Sequence, residues 1–453
     1  MFKKISKIIG YACIAAIFTI ALSGCGKTVA PTTNKVVVWS FEDADVWKPV
    51  IQRFQAKYKN YTVTYEKQTL DSGYENRVLN SMLSNGTPDV WSMPNDWVYR
   101  HKDQLSPMPD QTAKTVDLAS QFVPSIKQSV YFDNKIYALS PSAEPLMIYY
   151  NPKIFSDTLN SIIDGSKDPD FNRRASALLQ EPPKTWSDFN EAVKLLTKKT
   201  GVAITQSGVA MGTSRITNSN DILYLLMLQN ETDILSGDYS LSTFNLPKNT
   251  STGANDIPGK RALEFYTSYA NPASSDYSWS DSLGIDTEAF GAGKVAMVFG
   301  YSGLQNTLLQ KYPNLKYRKA YVPQVYIDSN KIKDYARFNA FGVNKLSKNP
   351  AAGWALVNSL VNDSGDDFVS GARLYTSKKA GTYDISVNQR TGSNPEKLEL
   401  ATAASLVKGR FPEDFDIYIR SAVDAVNAGN QNSRAALDLA ADKITDLLRK
   451  KGW

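Results

Sequence analysis

Histidine and cysteine are nearly absent from this chain: one histidine and two cysteines among 453 residues. A Ser-His-Asp triad or a Cys-His pair would have to use His101. It lies in Tyr99-Arg100-His101-Lys102-Asp103, a polar stretch that reads as surface. Paired histidines or cysteines at zinc-ligand spacing are missing, so no metal site is expected. No Gly-x-Gly-x-x-Gly or P-loop pattern occurs, and no cofactor is expected. Net charge is also small, at a formal +6, with no long basic run past the N-terminus. That argues against nucleic acid as a partner. Only one long hydrophobic run exists, Ile8 to Leu22.

That run follows a basic stretch of Lys3, Lys4 and Lys7 and gives way at once to small and polar residues. At fifteen residues it is short for a membrane span and has the layout of an export signal. It ends in Leu22-Ser23-Gly24-Cys25, which resembles the lipobox of bacterial lipoproteins. The resemblance implies removal of residues 1–24 and lipidation of Cys25, an anchor of several acyl chains. An uncleaved N-terminal membrane helix is the alternative. Cleavage would leave 429 residues, lower the formal charge from +6 to +3 and remove Cys13. Cys25 would then be the only thiol, so no intrachain disulfide could form and burial alone would hold the fold. Residues 25–34 are small and polar and read as a flexible tether.

From there the chain alternates strand and helix. Lys35-Val36-Val37-Val38-Trp39 reads as a buried strand. Asp45 is positioned to cap a helix with an apolar stripe at Trp47, Val50, Ile51, Phe54 and Tyr58. Tyr61 to Tyr65 returns as a strand, Val78, Leu79 and Met82 mark a second helix, and Asp89-Val90-Trp91 begins a third strand. This order predicts an α/β fold with helices on the faces of a parallel sheet. Ile136 to Leu139, Leu146 to Tyr150 and Lys294 to Phe299 read as further strands. Thr185-Trp186-Ser187-Asp188 is a capping box opening a helix. A closing amphipathic helix starts near Ser433, with its stripe at Leu437, Ala440, Ala441, Ile444 and Leu448. The stretches 156–183 and 236–258 read as insertions or surface loops.

Several segments recur, in order, in the bacterial extracellular solute-binding proteins of the maltose-binding type. They are the Val38-Trp39 strand, Gly86-Thr87-Pro88-Asp89-Val90, Asn134-Lys135-Ile136-Tyr137-Ala138-Leu139, Tyr149-Tyr150-Asn151 with Phe155, Pro183-Lys184-Thr185-Trp186-Ser187-Asp188-Phe189, and Phe290-Gly291-Ala292-Gly293-Lys294-Val295-Ala296-Met297. In place of the family's pattern this chain has Asn134 for a glycine, Pro141 for an earlier proline and Asn339-Ala340 for Gly-Gly. The resemblance implies two α/β lobes joined by crossing strands, a periplasmic-binding-protein-like fold with a hinge. Lobe one would be 35–139 plus 343–393, and lobe two 140–342 plus 394–453. It further implies a monomer that captures a solute, a mono- or oligosaccharide above all, and delivers it to the permease subunits of an ABC importer at the outer face of the membrane. A glycoside hydrolase with Glu42 or Asp43 paired to Glu144 is a rival reading, and a surface adhesin is another.

A sugar site needs aromatic platforms flanked by carboxylates and amides. Strand ends and the resemblance nominate Trp39, Glu42 and Asp43, then Asn95, Asp96 and Trp97, as ligand-binding residues. Glu144, Tyr301 and Tyr418 are nominated because relatives bring such residues to the cleft, Asn339 because it lies in the second crossover, and Trp279 as a further stacking residue. For each aromatic, packing in the core is the competing role.

Overall fold

The computed structural model describes residues 34–251, 253–326, 331–379 and 395–450. The lipobox, with Cys25, and all but the last residue of the tether lie outside them. Two hydrophobic cores organise the molecule, one in each lobe. The first gathers Val36, Val38, Trp47, Phe54, Trp91, Phe341 and Trp354. The second gathers Ile148, Phe189, Leu223, Leu263, Val298, Phe415 and Ile444. Among the described residues no helix is long and apolar enough to cross a membrane.

The first sheet is built on the strand Asn34–Ser40, which runs parallel to Tyr61–Lys67 on one side and to Val90–Pro94 on the other. Its three consecutive valines are buried on both faces by helices, hence the unbroken apolar run. Asn339–Asn344 returns from the far end of the chain and pairs antiparallel with Val90–Pro94. The second sheet is centred on Val295–Gly300, parallel to Ala203–Val209 and antiparallel to Met147–Tyr150. Between the lobes the strands Ser142–Pro145 and Asp334–Arg337 cross side by side, antiparallel. Asp334–Arg337 also pairs with Ala403–Ala404, a third passage of the chain.

Local chemistry explains the boundaries. Thr185 accepts from the Asp188 amide at 3.3 Å and so caps Trp186–Leu196 as expected, while the Asp188 carboxylate accepts from the Thr185 hydroxyl at 3.1 Å and not from the Thr185 amide of a full capping box. Asn134 replaces the family's glycine at a turn where it adopts φ +60°, beside Asp133 at +51°. Asparagine and aspartate tolerate this left-handed conformation, so the hairpin Tyr131–Phe132 to Lys135–Ile136 closes without glycine.

Four expectations need correction. The first long helix, Ala44–Lys57, takes Asp43 as its N-terminal cap position and has Asp45 in its first turn. Ile136 to Leu139 divides into two short strands, Lys135–Ile136 and Ala138–Leu139, in different pairings. The presumed loop at 156–183 is two helices, Pro152–Gly165 and Pro169–Leu178. His101 is not a surface residue. It is 4 % exposed, its ring lies edge-on to Trp91 and Trp97, and Nε2 is 3.1 Å from the Glu75 carboxylate. The short helix Trp97–Arg100 ends at His101 and turns the imidazole inward while Arg100 and Lys102 reach outward.

Candidate ligand-binding cleft

The carboxyl end of Val90–Pro94 runs into Asn95 and Asp96, and there the chain borders a cavity of about 420 Å³ between the lobes. Lobe one contributes Leu70, Pro94, Asn95, Asp96 and Asn339. Lobe two contributes Asp221, Lys408 and Asp416, and the crossing strands contribute Glu144, Tyr335 and Arg337. The volume is within the range of small-molecule sites, roughly 300–1000 Å³. Its place beyond strand ends, between two sheets, is where open α/β sheets bind ligands.

Lys408 organises the polar lining. Only 7 % exposed, its ammonium lies 2.9 Å from Asp416 and 3.3 Å from Asp96, and so joins the two lobes. It also stands 5.3 Å from the ring centre of Tyr224, whose hydroxyl donates to Asp416 at 2.6 Å. Burial disfavours the lysine's charge, but the Asp96 and Asp416 carboxylates outweigh it and hold the pKa well above the ordinary lysine value. Burial pushes the Asp96 carboxyl up, with Lys408 pulling the other way. Asp221 is likewise raised by burial, against the attraction of Lys408 and Arg337 and the hydrogen bond from Tyr301. Glu144 accepts a hydrogen bond from the Ser302 hydroxyl. Four carboxylates thus face two cations. Acceptors are in excess, which suits a ligand rich in hydroxyl donors.

The structure brings four of the eleven nominated residues to this cavity: Asn95, Asp96, Glu144 and Asn339. Asn95 is also a structural clamp. Its backbone amide donates to the Phe338 carbonyl at 2.9 Å, and its side-chain oxygen accepts from the Phe338 amide at 3.2 Å. Trp97 stands one residue outside, stacked on Tyr74 at 6.4 Å, with its indole donating to Glu413 at 3.0 Å. Tyr301 is 2 % exposed and lies behind the lining. Its hydroxyl donates to Asp221 at 2.8 Å and the Arg337 guanidinium covers its ring at 3.8 Å, so the face expected to stack on a ligand is occupied by protein. Trp279, 1 % exposed, is in the lobe-two core, donating to Asp281 at 3.2 Å. Tyr418 packs half-buried against that same core, outside the cavity lining. Trp39 packs half-buried on the lobe-one core. Glu42 is held by the Ser40 hydroxyl and the Trp47 indole, and burial raises its pKa. Asp43 pairs with Lys67 on the surface at 2.5 Å.

Sequence reasoning passed over Asp221, Arg337, Lys408 and Asp416. Two carried a legible signal. Asp221 is the one charged residue of the helix Ser219–Gln229, directly before the apolar run Ile222 to Leu228, and Lys408 follows the apolar Leu406-Val407. A lone charge in an apolar run must find a partner or a ligand.

The comparisons agree with this architecture. Residues 50–373 match the bacterial extracellular solute-binding protein family. A maltotriose-binding protein of Pyrococcus abyssi is 22% identical over 165 residues, which span 36% of this chain and 30% of that protein. The sugar-binding protein MalE from Xanthomonas citri superposes with a TM-score of 0.68 at 17% identity, covering 92% of this chain and 97% of that one. A cyclo/maltodextrin-binding protein complexed with maltotetraose gives 0.66 at 15% identity, with 92% and 98% covered. An ABC substrate-binding protein from Listeria monocytogenes in complex with cycloalternan gives 0.64 at 14%, with 92% and 100% covered. With two α/β lobes, crossing strands and a polar cleft between them, this chain belongs to the bacterial extracellular solute-binding protein family.

Proposed function

We propose that the protein captures a short oligosaccharide in the interlobe cavity and delivers it to an ABC importer, held at the membrane surface by lipid on Cys25. The observation that carries the reading is the cavity of about 420 Å³ whose acids, amides and cations come from both lobes and from the crossing strands. A hydroxyl-rich ligand would satisfy the surplus acceptors of Asp96, Glu144, Asp221 and Asp416 and bridge the lobes, so binding would favour closure. The ligands of the relatives, maltotriose, maltotetraose and cycloalternan, support a carbohydrate. Binding without turnover is supported by the rival acid pair's lack of a shared site. Glu42 is tied to Ser40 and Trp47, and Asp43 to Lys67, so neither joins Glu144 in the cavity lining.

Titration calorimetry with maltotriose and a panel of other short glycans tests the proposal. One of them binds, is recovered chemically intact, and binds at least tenfold more weakly to Asp221→Asn, about 1.4 kcal/mol. Cys25→Ala leaves the membrane fraction. Absence of binding across the panel, or cleavage of the bound glycan, defeats the reading.

A further inference from the structure

The loop at residues 236–242 belongs to lobe two by its anchors and reaches lobe one by its tip. The Ser242 amide donates to the Thr445 hydroxyl at 3.1 Å, on the closing helix Ser433–Arg449. The loop is stapled from within: the Ser236 amide donates to the Leu241 carbonyl at 2.9 Å, and Asp238 accepts from the Ser240 amide at 3.1 Å. At the tip Tyr239 is held at φ +57°, a conformation uncommon for a bulky side chain. Its ring is 5.4 Å from that of Tyr99 and 6.1 Å from that of Phe132, both on lobe one. A left-handed tyrosine persists only where its surroundings over-determine it, and such residues concentrate at clamps and switches.

We propose that this loop is an interlobe clasp, in which Tyr239 locks onto Tyr99 and Phe132 and so stabilises the closed cleft without touching the ligand. Tyr99 is on the same short helix as Trp97 and Arg100, which bind lobe-two Glu413 at 3.0 and 2.7 Å. The clasp and that polar contact therefore hold one rim together. A closed state favoured by protein–protein contacts raises the affinity of every ligand that requires closure, and it does so by slowing release. The inference rests on the cleft being a ligand site, but the contact itself can be read without ligand.

Hydrogen–deuterium exchange of the full chain, free and with maltotriose, tests it alongside stopped-flow dissociation. Tyr239→Ala speeds exchange across Trp97–Asp103 and Tyr131–Phe132 in the free protein, and speeds maltotriose release about fivefold, the loss of a ring contact of ordinary strength. Tyr239→Phe keeps the rings and retains both wild-type values. Should Tyr239→Ala fail to fold, Tyr99→Ala removes the same contact from the other lobe and must speed exchange in the 236–242 loop. If maltotriose does not bind the wild type, the sugar reading suffers and the free-protein exchange still decides the clasp. Unchanged lobe-one exchange in Tyr239→Ala, or equal release rates for the Ala and Phe variants, overturns it.

Discussion

Replacing Lys408 by methionine tests the electrostatics of the cleft most directly. Methionine keeps much of the length and removes the ammonium, leaving Asp96 and Asp416 facing each other without their shared cation. Breaking a buried pair from one side costs roughly 3–5 kcal/mol. Both carboxylates keep some contact with water, about 22 % and 23 % of their side-chain surface, so part of this is screened. An expected loss is about 2 to 3 kcal/mol. For lobes of this size that lowers the melting temperature by about 5 to 10 °C. The loss also depends on pH. Burial already raises the Asp96 pKa, and without Lys408 it rises further. A carboxyl with a raised folded pKa disfavours folding above that value and ceases to do so once protonated, so the variant recovers stability as pH falls through it. Thermal unfolding of both proteins at about pH 5 and about pH 7.5 should show the larger gap at the higher pH. Adding Asp416→Asn should restore part of the loss. A gap independent of pH, or a double variant as unstable as the single one, would refute the ion-bridge account.

Two further outcomes follow from the lobe-one rim. His101→Ala empties a buried position between Trp91 and Trp97 and leaves Glu75 with Arg100 alone, so it should cost about 2 kcal/mol in denaturant unfolding, whereas a surface histidine would cost almost nothing. Asp103 is held below the ordinary carboxylate value by its hydrogen bond from Arg410 across the cleft, at 2.7 Å. A depressed pKa contributes stability above the ordinary value of 3.8 and loses it as pH falls through the folded one. Thermal unfolding curves of the wild type and Asp103→Asn should therefore differ near neutral pH and merge in acid; a constant difference would show that the carboxylate's charge is irrelevant.

Most of the scaffold was readable because burial imposes period on sequence. Val36 to Val38 had to be apolar on both faces, and Thr185 could satisfy the Asp188 amide at the helix start only by forming the cap observed. The helices at Pro152–Gly165 and Pro169–Leu178 were missed although Asn151-Pro152 and Asp168-Pro169 are helix-start signals. In both, the capping side chain accepts from the two following amides. The polar faces of these helices masked a narrow buried stripe of Ile154, Phe155, Ala175 and Leu178. The site was less legible. Sequence places acids and amides at strand ends, and those from Val90–Pro94 and from the crossing strands do reach the cavity. It does not show which aromatics turn inward: Trp279 and Tyr301 satisfy their polar atoms on Asp281 and Asp221 inside lobe two. Lys408 and Asp416 approach Asp96 from more than three hundred residues away, a proximity created only by the fold.

That long-range approach also explains how cavity and rim are connected. Two short stretches each carry an inner group and an outer one. Asp96 lines the cavity, and the helix that starts after it presents Trp97 and Arg100 to Glu413. Glu413 and Asp416 are three residues apart on the helix Pro412–Asn427, hence on one face, with Asp416 inside and Glu413 at the rim. Arg410, two residues beyond Lys408, reaches Asp103. The inner ion bridge of Asp96, Lys408 and Asp416 and the outer pairs Arg100–Glu413 and Asp103–Arg410 are thus carried by the same two stretches of chain. On the proposed function, a ligand spanning the inner carboxylates would be coupled to the outer ion pairs through the backbone, and closure is expected as one motion of two surfaces about the crossing strands.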